Sequence, residues 1–202
     1  MGQSLSWRVL IGMEMVPLEP VNLEQRTEVN RVVSDLRDKS ATHAGGNDRE
    51  PWDIAIFKEV AFQAFSCPLK ERRSAAWDTY YRVFVGNGAA FERGKRFKYK
   101  DFTDGLENTI FVVEAGESVP WPKPDELNYD PAKPLPKFGG SFSDGFYAGF
   151  GDGKVRFIKN GTDEKLIRAM ITRNGGEPIP ELPPQVDSDA LWKTAGYKSN
   201  WK

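Results

Sequence analysis

Acidic residues beside glycines are the groups whose type and spacing come closest to a chemical site. Asp-Gly occurs at Asp104, Asp144 and Asp152, and the turn around the first also carries Asp101 and Glu107. Calcium is bound by carboxylate and carbonyl oxygens on flexible loops, so Asp101, Asp104 and Glu107 could supply a calcium site. Asp-Gly also meets the backbone requirements of tight turns. We favour structural turns and keep calcium as the lesser alternative.

Pairs of carboxylates are the other arrangement that could do chemistry. Glu114 with Glu117, or Asp101 with Glu114, could serve as acid and base in glycoside hydrolysis. That reaction needs a defined distance between two carboxylates, converging in a cleft, which a sequence does not supply. The glycine-rich residues 149–153 do not precede a predicted helix, so they do not match a phosphate-binding loop. We predict that the chain is not an enzyme and has no cofactor apart from the calcium alternative.

Exposed aromatic side chains could bind a ligand or a partner. Trp121 and Tyr129 lie in a proline-rich stretch, residues 116–138, and could stack on a carbohydrate or seat a peptide. Packing over a sheet edge is the alternative, and we favour it. Three aromatic residues near the end of the sequence, Trp192, Tyr197 and Trp201, lie in a proline-rich stretch that is predicted to be extended, either wrapped on the body of the domain or in contact with a partner protein.

Composition excludes several classes of function. The 202 residues include a single cysteine, Cys67, and a single histidine, His43, which excludes an intrachain disulfide and a thiolate zinc site. The formal net charge of −1 gives no argument for binding nucleic acid. No stretch approaches the roughly 18 apolar residues of a membrane-spanning helix. We expect protein partners, and neither nucleic acid, a membrane span nor a small-molecule ligand.

The elements that would position these residues are a group of strands with helices before and after them. Strands are predicted at residues 79–85, 109–113, 145–150 and 154–158, and helices at 22–39, 54–65 and 164–172. Residues 86–88 are predicted to form a hairpin-type turn, and Asn174-Gly175 to cap the last helix. The fold is therefore an α+β fold, an antiparallel β-sheet with packed helices, a long proline-rich loop and an extended C-terminal tail. Its predicted core residues are Trp7, Trp52, Phe84, Phe111, Val113 and Phe157.

Several short motifs, in order along residues 4–179, point to one family. They include Trp7-Arg8-Val9, Glu50-Pro51-Trp52-Asp53, Tyr81-Arg82-Val83-Phe84-Val85-Gly86, Asp101-Phe102-Thr103-Asp104-Gly105, Val119-Pro120-Trp121 and Phe150-Gly151-Asp152-Gly153-Lys154-Val155-Arg156-Phe157. Together they resemble the DUF1559 family, which is abundant in planctomycetes. The resemblance implies a pseudopilin-like, extracytoplasmic domain on an antiparallel sheet, and it brings no catalytic residues.

The chain departs from that family in three ways. The prepilin leader and its apolar helix are absent from this sequence, Phe142 stands where the family often has a histidine, and residues 22–49 look like an inserted helix and loop. The resemblance implies a domain over residues 1–179, followed by a proline- and aromatic-rich tail over 180–202. It also implies a cell-envelope location if a prepilin helix was removed upstream.

Two functional hypotheses follow. The first is a non-catalytic structural or assembly module of a pseudopilin-like cell-envelope apparatus or of a larger protein complex. The second is an extracytoplasmic domain that binds carbohydrate or peptide through the loop around Trp121. The first predicts an interface formed by the tail and the helix at residues 22–39, and the second predicts an aromatic-lined pocket near Trp121.

Overall fold

The computed structural model describes residues 78–140 and 142–187, together with Thr27 and Arg31. Thr27 and Arg31 are helical and exposed, within the predicted helix at residues 22–39. The rest of that helix, the predicted helix at 54–65, Cys67 and the core positions Trp7 and Trp52 lie outside the described residues.

An antiparallel four-stranded sheet is the main element of the described part, with strand order β1-β3-β5-β6. Its strands are β1 (Asp78–Arg82), β3 (Ile110–Pro120), β5 (Gly145–Phe150) and β6 (Val155–Lys159). A parallel pair, β2 (Phe84–Val85) and β4 (Leu127–Asn128), one α-helix, α1 (Glu164–Ile171), and two 3-10 helices, Tyr99–Asp101 and Leu106–Asn108, complete the regular structure of residues 78–140 and 142–187. The predicted α+β fold built on an antiparallel sheet is confirmed.

The core lies between one face of the sheet and α1. Along β5, Phe146, Ala148 and Phe150 are buried while Tyr147 and Gly149 are half-buried, as expected when alternate side chains point to opposite faces. Helix α1 contributes Ile167, Met170 and Ile171 to the same cluster. The apolar spacing of both elements thus directs one face of each to a common interior.

Two of the four described core predictions are confirmed. Phe84 and Val113 are each 1% exposed. Phe111 and Phe157 are only half-buried, so their assignment to the core was wrong. Phe157 follows the buried Arg156 and precedes the buried Ile158, which places its side chain on the opposite face of β6. Phe111 lies at a register shift between β3 and β5.

The predicted strand at residues 79–85 is divided into β1 and β2 at Val83. Its N–H donates to Glu126 Oε2 at 3.1 Å, and its carbonyl accepts from Leu127 N at 3.0 Å. These two bonds redirect the chain from the antiparallel sheet to the parallel pair with β4. A continuous apolar pattern does not reveal such a change of partner, because both strands bury similar side chains.

The turn after β2 is not the predicted hairpin. Gly86, Asn87 and Gly88 all have positive φ angles, of 99°, 44° and 84°. Gly86 N donates to the carbonyl of Phe91, and Val85 forms a parallel bridge with Phe91. The chain therefore loops back beside β2 in the parallel sense.

The loop predicted from residue 116 begins later than expected. Strand β3 continues to Pro120, and β4 lies within the predicted loop. Gly116 N donates to the carbonyl of Lys137, so this glycine, which suggested the end of a strand, is held by a neighbouring segment instead.

The strands predicted at residues 145–150 and 154–158 are confirmed, and they pair as the β5–β6 hairpin. Its register pairs Phe146 with Ile158 and Gly149 with Val155, and Gly153 adopts a φ of 80° in the connecting turn. The Asp152 carboxylate accepts from Lys154 N at 3.0 Å, which fixes the turn locally.

Helix α1 begins as predicted and ends sooner. The Asp163 carboxylate accepts from Lys165 N at 2.9 Å, an N-cap bond that satisfies one of the free N–H groups of the first turn. The helix ends at Ile171, one residue before its predicted end at Thr172, and Asn174-Gly175 does not cap it, because Thr172 is extended and forms an antiparallel bridge with Ala89.

The chain divides into two compact units, one of Met1–Thr79 with Ser118–Asp125 and one of Tyr80–Glu117 with Glu126–Lys202. Of the first, the structure describes residues 78–79 and 118–125 besides Thr27 and Arg31, and there Val119 and Trp121 are buried. The second contains α1, both strands of the β5–β6 hairpin and the tail. Among the described residues, no helix has the length and apolarity needed to cross a membrane.

Candidate functional site

The outer strand β6 and the segment beside it form the best candidate site, because the edge of a sheet is where a further extended chain can add through backbone hydrogen bonds. Phe157 N donates to the carbonyl of Pro184 at 3.2 Å, and Val186 N donates to the carbonyl of Val155 at 2.9 Å. Between these bonds Gln185 lies opposite Arg156 in an antiparallel bridge. Residues 184–186 of the predicted tail therefore lie beside β6.

Proline limits how far this pairing extends. Pro184 stands opposite Phe157, where it accepts a hydrogen bond but has no N–H to return one. Pro183, which precedes it, lacks an N–H as well. The tail segment is only partly covered: Pro184, Gln185 and Asp187 are exposed and Val186 is half-buried. The edge of β6 is thus occupied by a short and incomplete ladder.

Asp104 fixes the start of the tail. Its carboxylate accepts from Gly175 N at 2.7 Å and from Gly176 N at 3.1 Å, and its own N–H donates to the carbonyl of Arg173 at 3.1 Å. The side chain that was considered as a calcium ligand therefore binds two backbone N–H groups of a distant loop. Both of its oxygens are engaged within the protein.

The other two calcium candidates do not join Asp104 in a site. The Asp101 carboxylate accepts from Lys98 N at 2.7 Å within its own turn, and Glu107 is exposed beside Gly105. Across residues 78–140 and 142–187, no three Asp, Glu, His or Cys side chains are grouped closely enough to hold a metal ion. The calcium alternative is not supported, because these carboxylates are used for turns, as the Asp-Gly pattern also indicated.

Glu114 and Glu117, one of the carboxylate pairs considered for hydrolysis, do not converge. Glu114 is 3% exposed and Glu117 is exposed, and their odd spacing along β3 directs them to opposite faces. Glu114 Oε2 accepts from Tyr147 N at 3.1 Å, while the Glu114 carbonyl accepts from Gly139 N. Strand β3 thus changes partner here, from β5 to residues 137–139. This change leaves the N–H of Tyr147 on β5 without a backbone acceptor on β3, and the Glu114 carboxylate accepts its hydrogen bond instead.

Tyr147, half-buried beside Glu114, is a residue whose pKa is shifted. Burial raises the pKa of its phenol above the ordinary value of 10.0, and the negative charges of Glu114 and Asp144 raise this pKa further. Its ring lies 4.9 Å from that of Phe142 and 5.0 Å from that of Phe157. The three half-buried rings form an aromatic cluster on the face of the hairpin opposite the core.

Arg173 is a buried cation that the sequence did not identify, because a single arginine after a helix carries no signal of burial. It is 7% exposed, donates to the carbonyl of Ala89 at 2.6 Å and forms an ion pair with Glu92 at 2.7 Å. Its guanidinium lies 3.7 Å from the centre of the Phe97 ring. The hydrogen bond from Lys95, and after it the one from Arg173, are the main causes that hold the pKa of Glu92 below its ordinary value of 4.5.

Arg168 on α1 connects the helix to a loop. Its guanidinium donates to Glu164 and to the carbonyl of Lys133, and it lies 6.0 Å from the centre of the Tyr129 ring. The hydrogen bond to Glu164 raises the pKa of Arg168 above its ordinary value. The residue therefore remains cationic at all working pH values and holds the loop against the helix.

The aromatic residues considered for ligand binding are inside the protein. Trp121 is 2% exposed and Tyr129 is 4% exposed. Tyr129 N also donates to the carbonyl of Val85 at 2.9 Å, which continues the pairing of β2 with β4. Packing, the favoured alternative, agrees with this burial, whereas stacking on a sugar would need an exposed ring face. Trp192, Tyr197 and Trp201 lie outside the described residues.

An open depression of about 310 Å³ lies elsewhere in the second unit. Its lining includes Arg82, Glu117, Glu126 and Lys137, and neither Trp121 nor Tyr129 contributes to it. A mixed charged lining without aromatic rings differs from the aromatic-lined pocket that carbohydrate binding near Trp121 would require.

Comparison with protein-family models, with characterised proteins and with solved structures finds no match for this chain.

Proposed function

We propose that this chain is a non-catalytic structural module of a protein assembly, in which it acts through its sheet edge and C-terminal tail. The observation that carries the proposal is the pairing of residues 184–186 with β6. A sheet that accepts an extended segment at its edge through backbone hydrogen bonds has the means to join chains without a side-chain pocket.

The use of the charged side chains supports a structural role. Asp104 binds the backbone at Gly175 and Gly176, Glu114 binds Tyr147 N, and Arg173 binds Glu92 and the carbonyl of Ala89. Each of these groups holds one part of the chain to another part that is distant in sequence.

The finer proposal is a pseudopilin-like module of a planctomycete cell envelope, located outside the cytoplasm. It is supported by the ordered motifs that resemble the DUF1559 family and by the antiparallel sheet packed against a helix. In that setting the chain would act as one subunit among several, and its partners would be other proteins of the same apparatus.

The test is the mass and composition of the native particle in extract from the source organism. Cells are treated with a short amine-reactive crosslinker, and the complex is isolated through a tag on this chain, with a parallel sample left uncrosslinked. We expect the tagged chain to be recovered with other proteins in a fixed ratio. Recovery of the chain alone in both samples would contradict the assembly role.

A further inference from the structure

We propose that the edge of β6 is a strand-addition site whose second occupant is the tail of another copy of this chain, residues 178–187. The inference rests on the proposed assembly role, and it names the partner and the surface of that assembly. In one copy the tail pairs with its own β6, and in the assembled form the tails of two copies are exchanged.

Backbone hydrogen bonds at the outer edge of the sheet hold the tail to β6. Two of them lie on either side of the Arg156–Gln185 bridge. Pro184 has no N–H, so it cannot return a bond to the Phe157 carbonyl opposite it. Ile179 and Leu182 add partial burial against the core. Because the segment lies at the outer edge, it can be released while the pairing of β5 with β6 is kept.

The chain has a defined pivot for this release. Asp104 holds Gly175 and Gly176 at the end of the compact body, so the segment free to move begins after them. Gly176 has a φ of 76°, and Glu177 and Pro178 are exposed. A short exposed hinge between a fixed body and a segment at the edge of the sheet is the arrangement from which strand exchange starts.

The composition of the tail favours an extended donor strand. Four of its ten residues are proline, at positions 178, 180, 183 and 184. Proline fixes φ and keeps the free segment extended, so less conformational entropy is lost when it pairs with another molecule. The exchanged tail would make the same hydrogen bonds that it makes within one chain, so concentration sets the balance between the two forms.

The register between the tail and β6 shows which pair of residues can be used to detect the exchange. The bridge between Arg156 and Gln185 places Val155 directly opposite Val186, and Val186 N donates to the Val155 carbonyl. Opposite residues of an antiparallel pair have Cα atoms about 4.5–5.5 Å apart, within the range that a disulfide bridges. Both positions are half-buried valines away from the core cluster, so cysteine can replace them at small cost to stability.

The experiment co-expresses two differently tagged full-length copies, both carrying Cys67→Ser, one with Val155→Cys and the other with Val186→Cys. After oxidation, exchange gives a crossed disulfide product of twice the 22.8 kDa chain mass that disappears on reduction. The matched control replaces Val186→Cys by Glu181→Cys, at an exposed tail position outside the ladder. We expect about tenfold more crossed product from Val186→Cys than from Glu181→Cys, because pairing raises the local thiol concentration.

A single chain carrying both Val155→Cys and Val186→Cys checks the register, since an intrachain disulfide should close it. If that chain closes but Val186→Cys gives no more crossed product than Glu181→Cys, the exchange is overturned. The assembly role is then still decided by the native-particle test. Failure of the double variant to close would overturn the pairing on which the exchange depends. Crossed product without partners in the native particle would support exchange between copies and contradict a mixed assembly.

Discussion

Arg173 and Glu92 form an ion pair of 2.7 Å whose two side chains are only 9% and 14% exposed. The pair joins the segment after α1 to the segment after β2, and Arg173 also contacts the Phe97 ring and the carbonyl of Ala89. Removal of one partner from a buried pair of this kind is costly, and without Arg173 the Glu92 carboxylate would keep the exposed Lys95 as its counter-ion.

Arg173→Met is expected to lower the free energy of unfolding by about 3 kcal/mol, because it leaves the Glu92 carboxylate largely buried without its guanidinium. The matched control is Lys95→Met, which removes the other cation beside Glu92. Lys95 is 60% exposed, so its loss should cost less than about 1 kcal/mol. Urea unfolding measures both values, and equal losses would contradict the assignment of Arg173 as the structural partner.

Stability should fall in acid through Glu92. Because the pKa of Glu92 is lower in the folded chain than its ordinary value of 4.5, its contribution is present above that value and is lost as the pH falls through the lowered pKa. The free energy of unfolding of the native chain and of Glu92→Gln should therefore converge toward low pH. A difference between them that stays constant from pH 6 to pH 3 would be inconsistent with this linkage.

Asp104→Asn is expected to cost about 1–3 kcal/mol, because it removes the charge from an acceptor of two backbone hydrogen bonds and leaves an amide that cannot accept both. Asp144→Asn provides the matched control, since Asp144 also precedes a glycine but is exposed. The structure predicts little change for this control. Hydrogen exchange at Gly175 and Gly176 should quicken in Asp104→Asn alone.

Two glycines of β5 should differ sharply in their tolerance of alanine. A Cβ at Gly145 would lie 2.7 Å from the Phe157 ring and closer still to the Ile158 carbonyl, whereas at Gly149 its nearest neighbour is Val112 Cβ at 3.8 Å. Gly145→Ala is expected to cost more than about 2 kcal/mol from steric overlap, and Gly149→Ala to be close to neutral. Thermal unfolding of the two variants decides the comparison, and equal melting temperatures would contradict the register of the hairpin.

Tyr147 should ionise later than an ordinary tyrosine. Because its pKa is raised above 10.0 in the folded chain, its contribution to stability is present below pH 10 and is lost as the pH rises through the raised pKa. Asp144→Asn removes one of the negative charges that raise this pKa, so the pKa of Tyr147 should fall. Carbon-13 NMR of labelled tyrosine follows the titration, with Tyr147→Phe to assign the signal.

The sequence predicted the elements whose signals are local. The β5–β6 hairpin has a turn glycine between two alternating strands, and α1 has Asp163 as its N-cap, so both were located within a residue or two. Features set by distant partners were missed. The division at Val83 depends on Glu126, and the bridge from Thr172 to Ala89 takes the place of the predicted cap at Asn174-Gly175.

The candidate site could be predicted only in part, for the same reason. An extended proline-rich tail was foreseen, but its pairing with β6 could not be, because neither strand carries a mark of the other. Trp121 and Tyr129 show a second limit of prediction from sequence. An aromatic ring in a proline-rich segment suits both a binding surface and an interior, and only burial in the fold distinguishes the two.

The position of the tail at the end of the described chain has a consequence for biosynthesis. A ribosome makes the chain from its amino terminus, so β6 leaves the exit tunnel before the segment around Val186 that covers its edge. During that interval the outer strand presents free backbone groups to any neighbouring nascent chain on the same messenger RNA. Polysomes would therefore bring copies together at the stage when their edges are still open, which makes translation itself a setting for exchange between tails.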